Sequence, residues 1–322
     1  MKKWFGIVSL LLVIALMVPA YGQPADKPVI GILQYVQHAA LDAARDGFLA
    51  GLKEEGFVDG ENIMVQYENG QAAQDINDSI ADRFVADGVD LLLGIATPSV
   101  MALAAKTDSI PILGTAVTDY VAARLVESNE APGFNVSGTT DMNPIAEQIA
   151  MAKRLVPDAE TLGILFTSSE VNSQTQAEIA KAEAEALGLK VVEVTVNNSS
   201  DVQQAAISIL EQVDVLYLPT DNVIAAAIAL VSEQALERKI PLAVGEGGMV
   251  LGGGTFTLGI NYFNLGVQTG KMAAAILRGE AIVSEMPIQR QTDFEYVINK
   301  TFADAIGLEI PEDLLPFAVE VK

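Results

Sequence analysis

The sequence contains no cysteine and only one histidine among its 322 residues. Without cysteine there can be no disulfide, zinc-thiolate site, iron–sulfur cluster or thiol nucleophile, and a single histidine removes most metal sites built on imidazole. Basic residues are also scarce, with 19 Lys and Arg against 42 Asp and Glu and a net charge of −23. Such a chain lacks a basic face for phosphate groups, so we exclude nucleic acid as a partner.

Long hydrophobic runs are rare as well, and the one that exists lies at the amino terminus. Met1-Lys2-Lys3 provides a basic start, and Trp4 to Val18 form a nearly unbroken apolar run followed by small residues at Ala20 and Gly22. The run is too short for a comfortable membrane span, so the pattern predicts a signal peptide over residues 1–22. With no cysteine to carry a lipid anchor, we expect a soluble protein in the periplasm or an equivalent extracytoplasmic space.

The remaining chain is long enough for two domains, and half of all residues are apolar. From Pro28 onward, short apolar runs alternate with amphipathic helical stretches, a pattern typical of parallel sheets covered by helices. The fold class is therefore α/β. The predicted strands are Val29 to Val36, Asn62 to Glu68, Asp90 to Ala96, Ile110 to Val117, Thr161 to Thr167, Lys190 to Val196, Asp214 to Pro219 and Ile240 to Gly245.

The two halves of the chain repeat the same strand motifs at a nearly constant offset. The matching pairs are Ile30 to Leu33 with Leu162 to Leu165, Glu55 to Phe57 with Leu187 to Leu189, Val89 to Leu92 with Val213 to Leu216, and Ile110 to Ile112 with Ile240 to Leu242. This repeat predicts two similar, doubly wound parallel-sheet lobes.

One strand and one helix, Phe256 to Tyr262 and Leu265 to Arg278, remain after the repeat is complete. We expect the chain to cross back and bury them against the first lobe before a final return. Lobe one would then comprise residues 28–140 and 257–285, and lobe two residues 141–256 and 286–322. The three predicted crossings lie near 139–143, 252–257 and 284–287, where Gly, Pro and polar residues concentrate.

Candidate binding residues follow the predicted strands. Ligands of open parallel sheets bind beyond the carboxyl ends of the strands, where helix N-termini offer free N–H groups. If the lobes face each other, six polar loops meet in one cleft. The candidates are Gln34, Tyr35, Thr97, Pro98, Ser99, Thr118 and Asp119 from lobe one, and Ser168, Ser169, Asn172, Asp221 and Glu246 from lobe two.

Several of these candidates also have a plain structural explanation. Thr97-Pro98-Ser99, Thr118-Asp119 and Ser168-Ser169 are ordinary helix caps. Capping does not explain why Asp221 and Glu246 should occupy matching positions in lobe two. Both explanations stay open at this point.

Three other features are expected to carry no chemistry. His38 lies near a predicted helix start and is expected to be structural rather than catalytic. Gly245 to Val250 lacks the last glycine of a dinucleotide fingerprint, and Gly266 to Met272 lacks the Ser or Thr of a phosphate-binding loop. The sequence therefore predicts neither a cofactor nor a metal.

Six motifs, in this order, resemble the extracytoplasmic substrate-binding proteins of ABC transporters. They are Gln34 to Asp42, Thr118-Asp119, Asn135 to Gly138, Ser168 to Ser173, Leu218 to Asn222 and Gly245 to Val250. The nearest branch includes binders of tryptophan and other aromatic amino acids. Tyr120 and Ala39 depart from the family pattern, which often has Pro at both positions, and the lipid-anchoring cysteine of many relatives is absent.

The resemblance implies a periplasmic-binding-protein type I fold without enzymatic activity. It implies that a monomer binds a small, amino acid-like ligand by hinge closure and delivers it to a membrane permease with its ATPase. Hydroxyl and N–H groups at Thr97 and Ser99, or at Ser168 and Ser169, would hold the ligand's carboxylate.

The ligand's other groups also have candidate partners. Asp221, Glu246 or Asp119 would pair with the ammonium group, and Tyr35 would stack on the side chain. Two alternatives stay open: an exported enzyme that uses Asp221 and Glu246 as acid and base, and a ligand-sensing receptor domain.

Overall fold

Two β-sheets organise the part of the chain that the structure describes. The computed structural model describes residues 27–321, so the predicted signal peptide lies outside the described residues. Neighbouring strands run in the order β11-β5-β4-β3-β1-β2 in the first sheet and β13-β12-β10-β9-β8-β6-β7 in the second. Strands β1 to β5 and β6 to β10 therefore follow the same order, as the sequence repeat predicts. The bounds of all these elements follow.

The first lobe begins with five parallel strands and three helices. In chain order these are β1 Val29–Gln34, α1 Ala39–Glu54, β2 Met64–Asn69, α2 Gln74–Asp87, β3 Leu91–Ile95, α3 Thr97–Ala104, β4 Ile112–Val117 and β5 Val136–Thr140. The central strands β3 and β4 are buried at every position. Burial on both faces explains why they appear in the sequence as short apolar runs without alternation.

The second lobe repeats this arrangement. Its elements are α4 Ile145–Leu155, β6 Thr161–Thr167, α5 Val171–Ala186, β7 Lys190–Val196, α6 Val202–Leu210, β8 Val215–Leu218, α7 Asn222–Ala226, α8 Ile228–Arg238, β9 Leu242–Val244, α9 Gly247–Leu251 and β10 Phe256–Gly259. The loops that follow the strands of both lobes open toward each other, which places the cleft between the two sheets.

The last part of the chain serves both lobes. Its elements are α10 Tyr262–Leu277, β11 Gln289–Arg290, β12 Glu295–Asn299, α11 Lys300–Ile306 and β13 Ala318–Val319. Helix α10 packs on α1, and its Leu265 and Met272 join the same hydrophobic core as Ile30 and Phe48 of the first lobe. Strands β12 and β13 extend the second sheet beside β10.

The second and third crossings lie a few residues later than the sequence predicts. Strand β10 pairs with β9 and β12, so residues 257–259 belong to the second sheet and not to lobe one. Strand β11 pairs with β5, so residues 289–290 belong to the first sheet and not to lobe two. The physical reason is the repeat itself, because β10 continues the second sheet just as β5 continues the first.

Helices α1 and α10 approach so closely that only glycine fits between them. A Cβ at Gly47 would lie 2.0 Å from the carbonyl oxygen of Phe263, and one at Gly266 would lie 2.0 Å from that of Ala44. Gly51 and Gly270 face α10 and α1 in the same way, at 2.3 Å from backbone oxygens. Small residues spaced by four thus hold the returning helix against the first lobe. Among residues 27–321, no helix is both long and apolar enough to cross a membrane.

Candidate functional site

A narrow cavity lies between the lobes, at the carboxyl ends of the strands. Both lobes contribute to its wall. The lining residues are His38, Leu41, Ala116, Thr118, Asp141, Asn172, Thr220, Asp221, Asn222, Ala225, Glu246 and Tyr262.

Buried carboxyl groups dominate the electrostatics of this cavity. Asp141, Asp221 and Glu246 line it, Glu170 lies directly behind it, and each is at most 4% exposed. Burial raises the pKa of all four, to about 8 for Glu170 and about 7 for Glu246. Within residues 27–321, no lysine or arginine lines the cavity. Such a wall favours a ligand that brings its own positive charge.

Two of these carboxylates already have several donors from the protein. Asp221 accepts from the backbone N–H of Thr167 at 2.5 Å, from its hydroxyl at 2.8 Å and from the N–H of Ile224 at 2.9 Å. Glu246 accepts from the backbone N–H groups of Met249 and Gly248. Asp221 caps α7 and Glu246 caps α9, although the sequence analysis assigns capping to other residues and not to these two.

Asp141 has a different environment, at the first crossing between the lobes. It accepts from the hydroxyls of Thr118 at 3.0 Å and Tyr262 at 2.7 Å. Both hydroxyls line the cavity with it, so the carboxylate is oriented by side chains and not by a helix terminus. Burial raises the pKa of Asp141, and these two hydrogen bonds oppose that shift.

Three buried polar atoms at or near the cavity have no hydrogen-bond partner within the described part of the chain. They are His38 Nδ1, Thr97 Oγ1 and Asn172 Oδ1. Buried polar groups are nearly always paired, so unpaired ones in a cavity wall mark where a ligand or ordered water makes its hydrogen bonds. His38 thus lies at the candidate site, although the sequence predicts only a structural role for it.

Backbone strain occurs at the carboxyl end of the first sheet's strands, where the cavity lies. Ala96, which follows β3, has φ +81°, and Ala116, in β4, has φ +56°. An alanine in the left-handed region is costly, and such strain tends to occur at ligand sites. Ala116 lines the cavity, and Ala96 precedes the first turn of α3.

Direct contacts hold the lobes together across the cavity. His38 Nε2 of lobe one lies 3.3 Å from Asn222 Oδ1 of lobe two, and Gln176 Nε2 lies 3.3 Å from Thr118 Oγ1. A Cβ at Gly248 would lie 3.1 Å from the Cβ of Ala39. Small residues at these two positions, including the departure at Ala39, allow α9 to approach α1 in the closed arrangement.

Four of the twelve candidates from the sequence line the cavity: Thr118, Asn172, Asp221 and Glu246. The other eight are not among its lining residues. Pro98 is buried in the first turn of α3, and Ser99 donates to Asn77 at 3.3 Å. Thr97 is 2% exposed, and its unpaired hydroxyl is the only feature of this group that points to a ligand.

The side chains of the remaining candidates do not line the cavity, because other contacts or the solvent engage them. The ring of Tyr35 packs in the core of lobe one, and its hydroxyl donates to the carbonyl of Ala72 at 3.2 Å, so it has no free face for stacking. Gln34 donates to Asp42 at 2.9 Å, and Asp119 accepts from two N–H groups of its own loop. Ser168 donates to Asn197 at 2.7 Å, and Ser169 is exposed.

Sequence reasoning missed several residues of the site. Asp141 follows β5, a strand that the sequence analysis does not predict, so its place at a strand end is hidden. Glu170, Asn222 and Tyr262 were also not among the candidates. The signal for Glu170 and Asn222 was their place in the quoted family motifs, and the signal for Tyr262 was its place just beyond β10. Tyr120, the second departure from the family pattern, is buried with its hydroxyl near the carbonyls of Gly114 and Thr139 and does not line the cavity.

Comparison with known proteins supports this account of the fold. The tyrosine-binding protein of Clostridioides difficile strain R20291 is 40% identical over 280 residues, which is 87% of this chain and 81% of that protein. The structure of an ABC domain from Streptococcus pneumonia in complex with L-Trp is 36% identical, with a TM-score of 0.88 over 92% of this chain and 100% of that one.

The ligand-free, open structure of a substrate binding protein with adhesive properties from Clostridium difficile has the same coverage, 92% of this chain and 100% of that one. It is 43% identical, but its TM-score is only 0.69. The more similar sequence therefore has the less similar shape, because the lobes described here are arranged as in the L-Trp complex. An ABC transporter solute binding protein from Bacillus halodurans, 16% identical with a TM-score of 0.62, shares the fold alone.

The family match covers the whole of both lobes. Residues 29–322 match the family described as ABC transporter substrate binding protein. The two lobes have the periplasmic-binding-protein type I architecture of that family's structures. The chain belongs to the family of ABC transporter substrate binding proteins.

Proposed function

We propose that the protein binds an aromatic amino acid in the cavity between its lobes and delivers it to the membrane permease of an ABC importer. The observation that carries the proposal is the chemistry of the cavity wall. Buried carboxyl groups and unpaired acceptors surround a space without a lysine or arginine among the described residues, so the ligand must supply the positive charge and the N–H donors. An α-ammonium group supplies both.

The opposite end of an amino acid needs donors, and Thr220 is suited to provide one. Its hydroxyl oxygen accepts from Gln176 Nε2, so its own proton is available to a ligand carboxylate. Leu41, Ala116 and Ala225 supply apolar wall for a side chain. The relatives support an aromatic side chain, because one is a tyrosine-binding protein and another contains L-Trp.

The proposal involves no covalent step. The sequence alternative of an enzyme needs Asp221 and Glu246 as acid and base, yet both side chains cap helices through backbone N–H groups. We further propose that the protein works as an exported, extracytoplasmic monomer, and that its partners are the permease and ATPase of one importer. Copurification with a permease encoded beside it tests the partner, and light scattering of the mature chain tests the monomer.

Titration calorimetry tests the ligand. We expect at least one of L-tyrosine, L-tryptophan and L-phenylalanine to bind at micromolar concentration, while L-leucine binds more weakly and myo-inositol does not bind. Small-angle scattering should show a smaller radius of gyration in the bound state, because closure forms the contact between His38 and Asn222. If no amino acid binds below millimolar concentration, the proposed function is wrong.

A further inference from the structure

Glu170 lies behind the cavity and holds groups that line it. The residue precedes α5, is 1% exposed and makes no capping bond to its own helix. Its Oε2 accepts from the side-chain amides of Asn172 at 2.9 Å and Asn222 at 2.5 Å, and from the backbone N–H of Asn222 at 3.3 Å. Its Oε1 accepts from the N–H of Val223 at 3.3 Å. One buried carboxylate therefore joins the first turn of α5 to that of α7.

These contacts fix the orientation of both asparagine amides. Oε2 of Glu170 accepts the backbone N–H of Asn222 and therefore acts as an acceptor, so each amide turns its NH₂ group toward this oxygen. For Asn172 the carbonyl of Thr220, at 3.0 Å from Nδ2, requires the same orientation. The oxygen Oδ1 of Asn172, a residue that lines the cavity, is buried and has no partner within residues 27–321. It is a hydrogen-bond acceptor that a donor of the ligand can use.

The orientation of Asn222 determines the tautomer of His38. Because Asn222 presents Oδ1 to the ring at 3.3 Å, His38 Nε2 must carry the proton. Burial lowers the pKa of His38 to about 4, so the ring is neutral and Nδ1 keeps its lone pair. This atom is also buried and unpaired in the described part of the chain. It is a second acceptor, and it belongs to the other lobe.

We propose that Glu170 is a positioning residue that sets the two acceptors Asn172 Oδ1 and His38 Nδ1, one from each lobe, for the N–H donors of the ligand's ammonium group. The inference rests on the proposed function, because it assumes an amino acid in the cavity. An ammonium group has three donors and can serve both acceptors at once, whereas a hydroxyl has one. The arrangement therefore selects an amine. Closure then requires that each lobe form a hydrogen bond to the same nitrogen.

The single histidine makes the tautomer directly measurable. In protein labelled with ¹⁵N-histidine, His38 gives one pair of ring signals, whose chemical shifts identify the protonated nitrogen. With saturating L-tryptophan we expect a neutral ring that is protonated at Nε2, with Nδ1 shifted as a hydrogen-bond acceptor. A ring protonated at Nδ1 in the L-tryptophan complex overturns the inference and leaves the proposed function standing. This measurement needs no variant.

The Glu170→Gln variant tests the positioning role, with Glu178→Gln as the matched control. Glu178 is an exposed residue of the same helix, so the control makes the same change of charge outside the site. Affinities are measured for L-tryptophan and for indole-3-propionate, which lacks the amine. A glutamine at position 170 can donate as well as accept, so one of the two amides is free to reverse.

We expect Glu170→Gln to lower L-tryptophan affinity at least tenfold, to reduce the preference over indole-3-propionate and to give a mixed His38 tautomer. Glu178→Gln should match the wild type in all three measurements. Unchanged preference and tautomer in a folded Glu170→Gln variant overturn the role of Glu170. If wild type binds no amino acid at all, the proposed function fails and the inference fails with it.

Discussion

Replacing Asp221 with alanine separates its structural role from a role in ligand binding. Its carboxylate accepts three hydrogen bonds from Thr167 and Ile224, and the side chain is 1% exposed. Each buried donor that loses its partner costs about 1 to 3 kcal/mol. The alanine variant no longer has the desolvation cost of a buried carboxylate, which offsets part of that sum. We expect Asp221→Ala to lower the free energy of unfolding by about 2 to 4 kcal/mol.

The expected change in melting temperature follows from the size of the chain. At roughly 2 °C per kcal/mol for a protein of this length, the loss corresponds to about 4 to 8 °C. Affinity for L-tryptophan should fall less than about tenfold, because three hydrogen bonds from Thr167 and Ile224 already engage the carboxylate in holding the protein's own loops. Differential scanning calorimetry and titration calorimetry on the same preparations provide both numbers.

The opposite pattern would refute this reasoning. If Asp221→Ala melts like the wild type and binds L-tryptophan about 30-fold more weakly or worse, the carboxylate contacts the ligand as the sequence analysis expects. Asp221→Asn is a useful second variant. It keeps an oxygen for Ile224 but turns an NH₂ group toward the N–H of Thr167, so its stability should lie between those of alanine and wild type.

Three further outcomes follow from buried features. Gly266→Ala should destabilise the protein by about 2 kcal/mol or more, because its Cβ would lie 2.0 Å from a carbonyl oxygen, whereas Gly247→Ala, with the nearest atom at 3.6 Å, should melt like the wild type. Gln148→Leu should cost about 2 to 4 kcal/mol in urea unfolding, because its amide serves two backbone carbonyls of the second lobe. The ligand-free protein should lose stability as the pH rises from about 4.5 to about 8, because Glu170 and Glu246 bind protons more tightly when folded. Across that pH range the melting temperature of Glu170→Gln should decrease less than that of the wild type. An equal decrease would contradict the contribution of Glu170 to the pH dependence.

Most strands could be predicted because a buried parallel strand is apolar at successive positions. The predicted bounds Thr161 to Thr167 and Lys190 to Val196 agree with the structure. Strand β5 was missed because Ser, Thr and Gly fill it, although its polar side chains are paired inside the lobe. Ser137 donates to the carbonyl of Met286 at 2.7 Å, and the hydroxyls of Thr139 and Thr269 lie 2.8 Å apart.

The site could be located from the sequence more readily than its contacts could be assigned. The strand-end rule places Thr118, Asn172 and Glu246 at the cavity. It does not tell which way a side chain turns after the strand ends, so Tyr35 was predicted to face the ligand while its ring enters the core. Direction depends on the pleat and on the local loop, which apolar patterns do not encode.

The return of α10 to the first lobe also determines the order in which the chain can fold. The core around Ile30 and Phe48 is completed by Leu265 and Met272, which are separated from it by most of the chain. During synthesis the core of the first lobe therefore stays incomplete until nearly all of the second lobe has left the ribosome. Closing so long a loop slows folding. A chain that ends before α10 therefore lacks part of the first lobe's core.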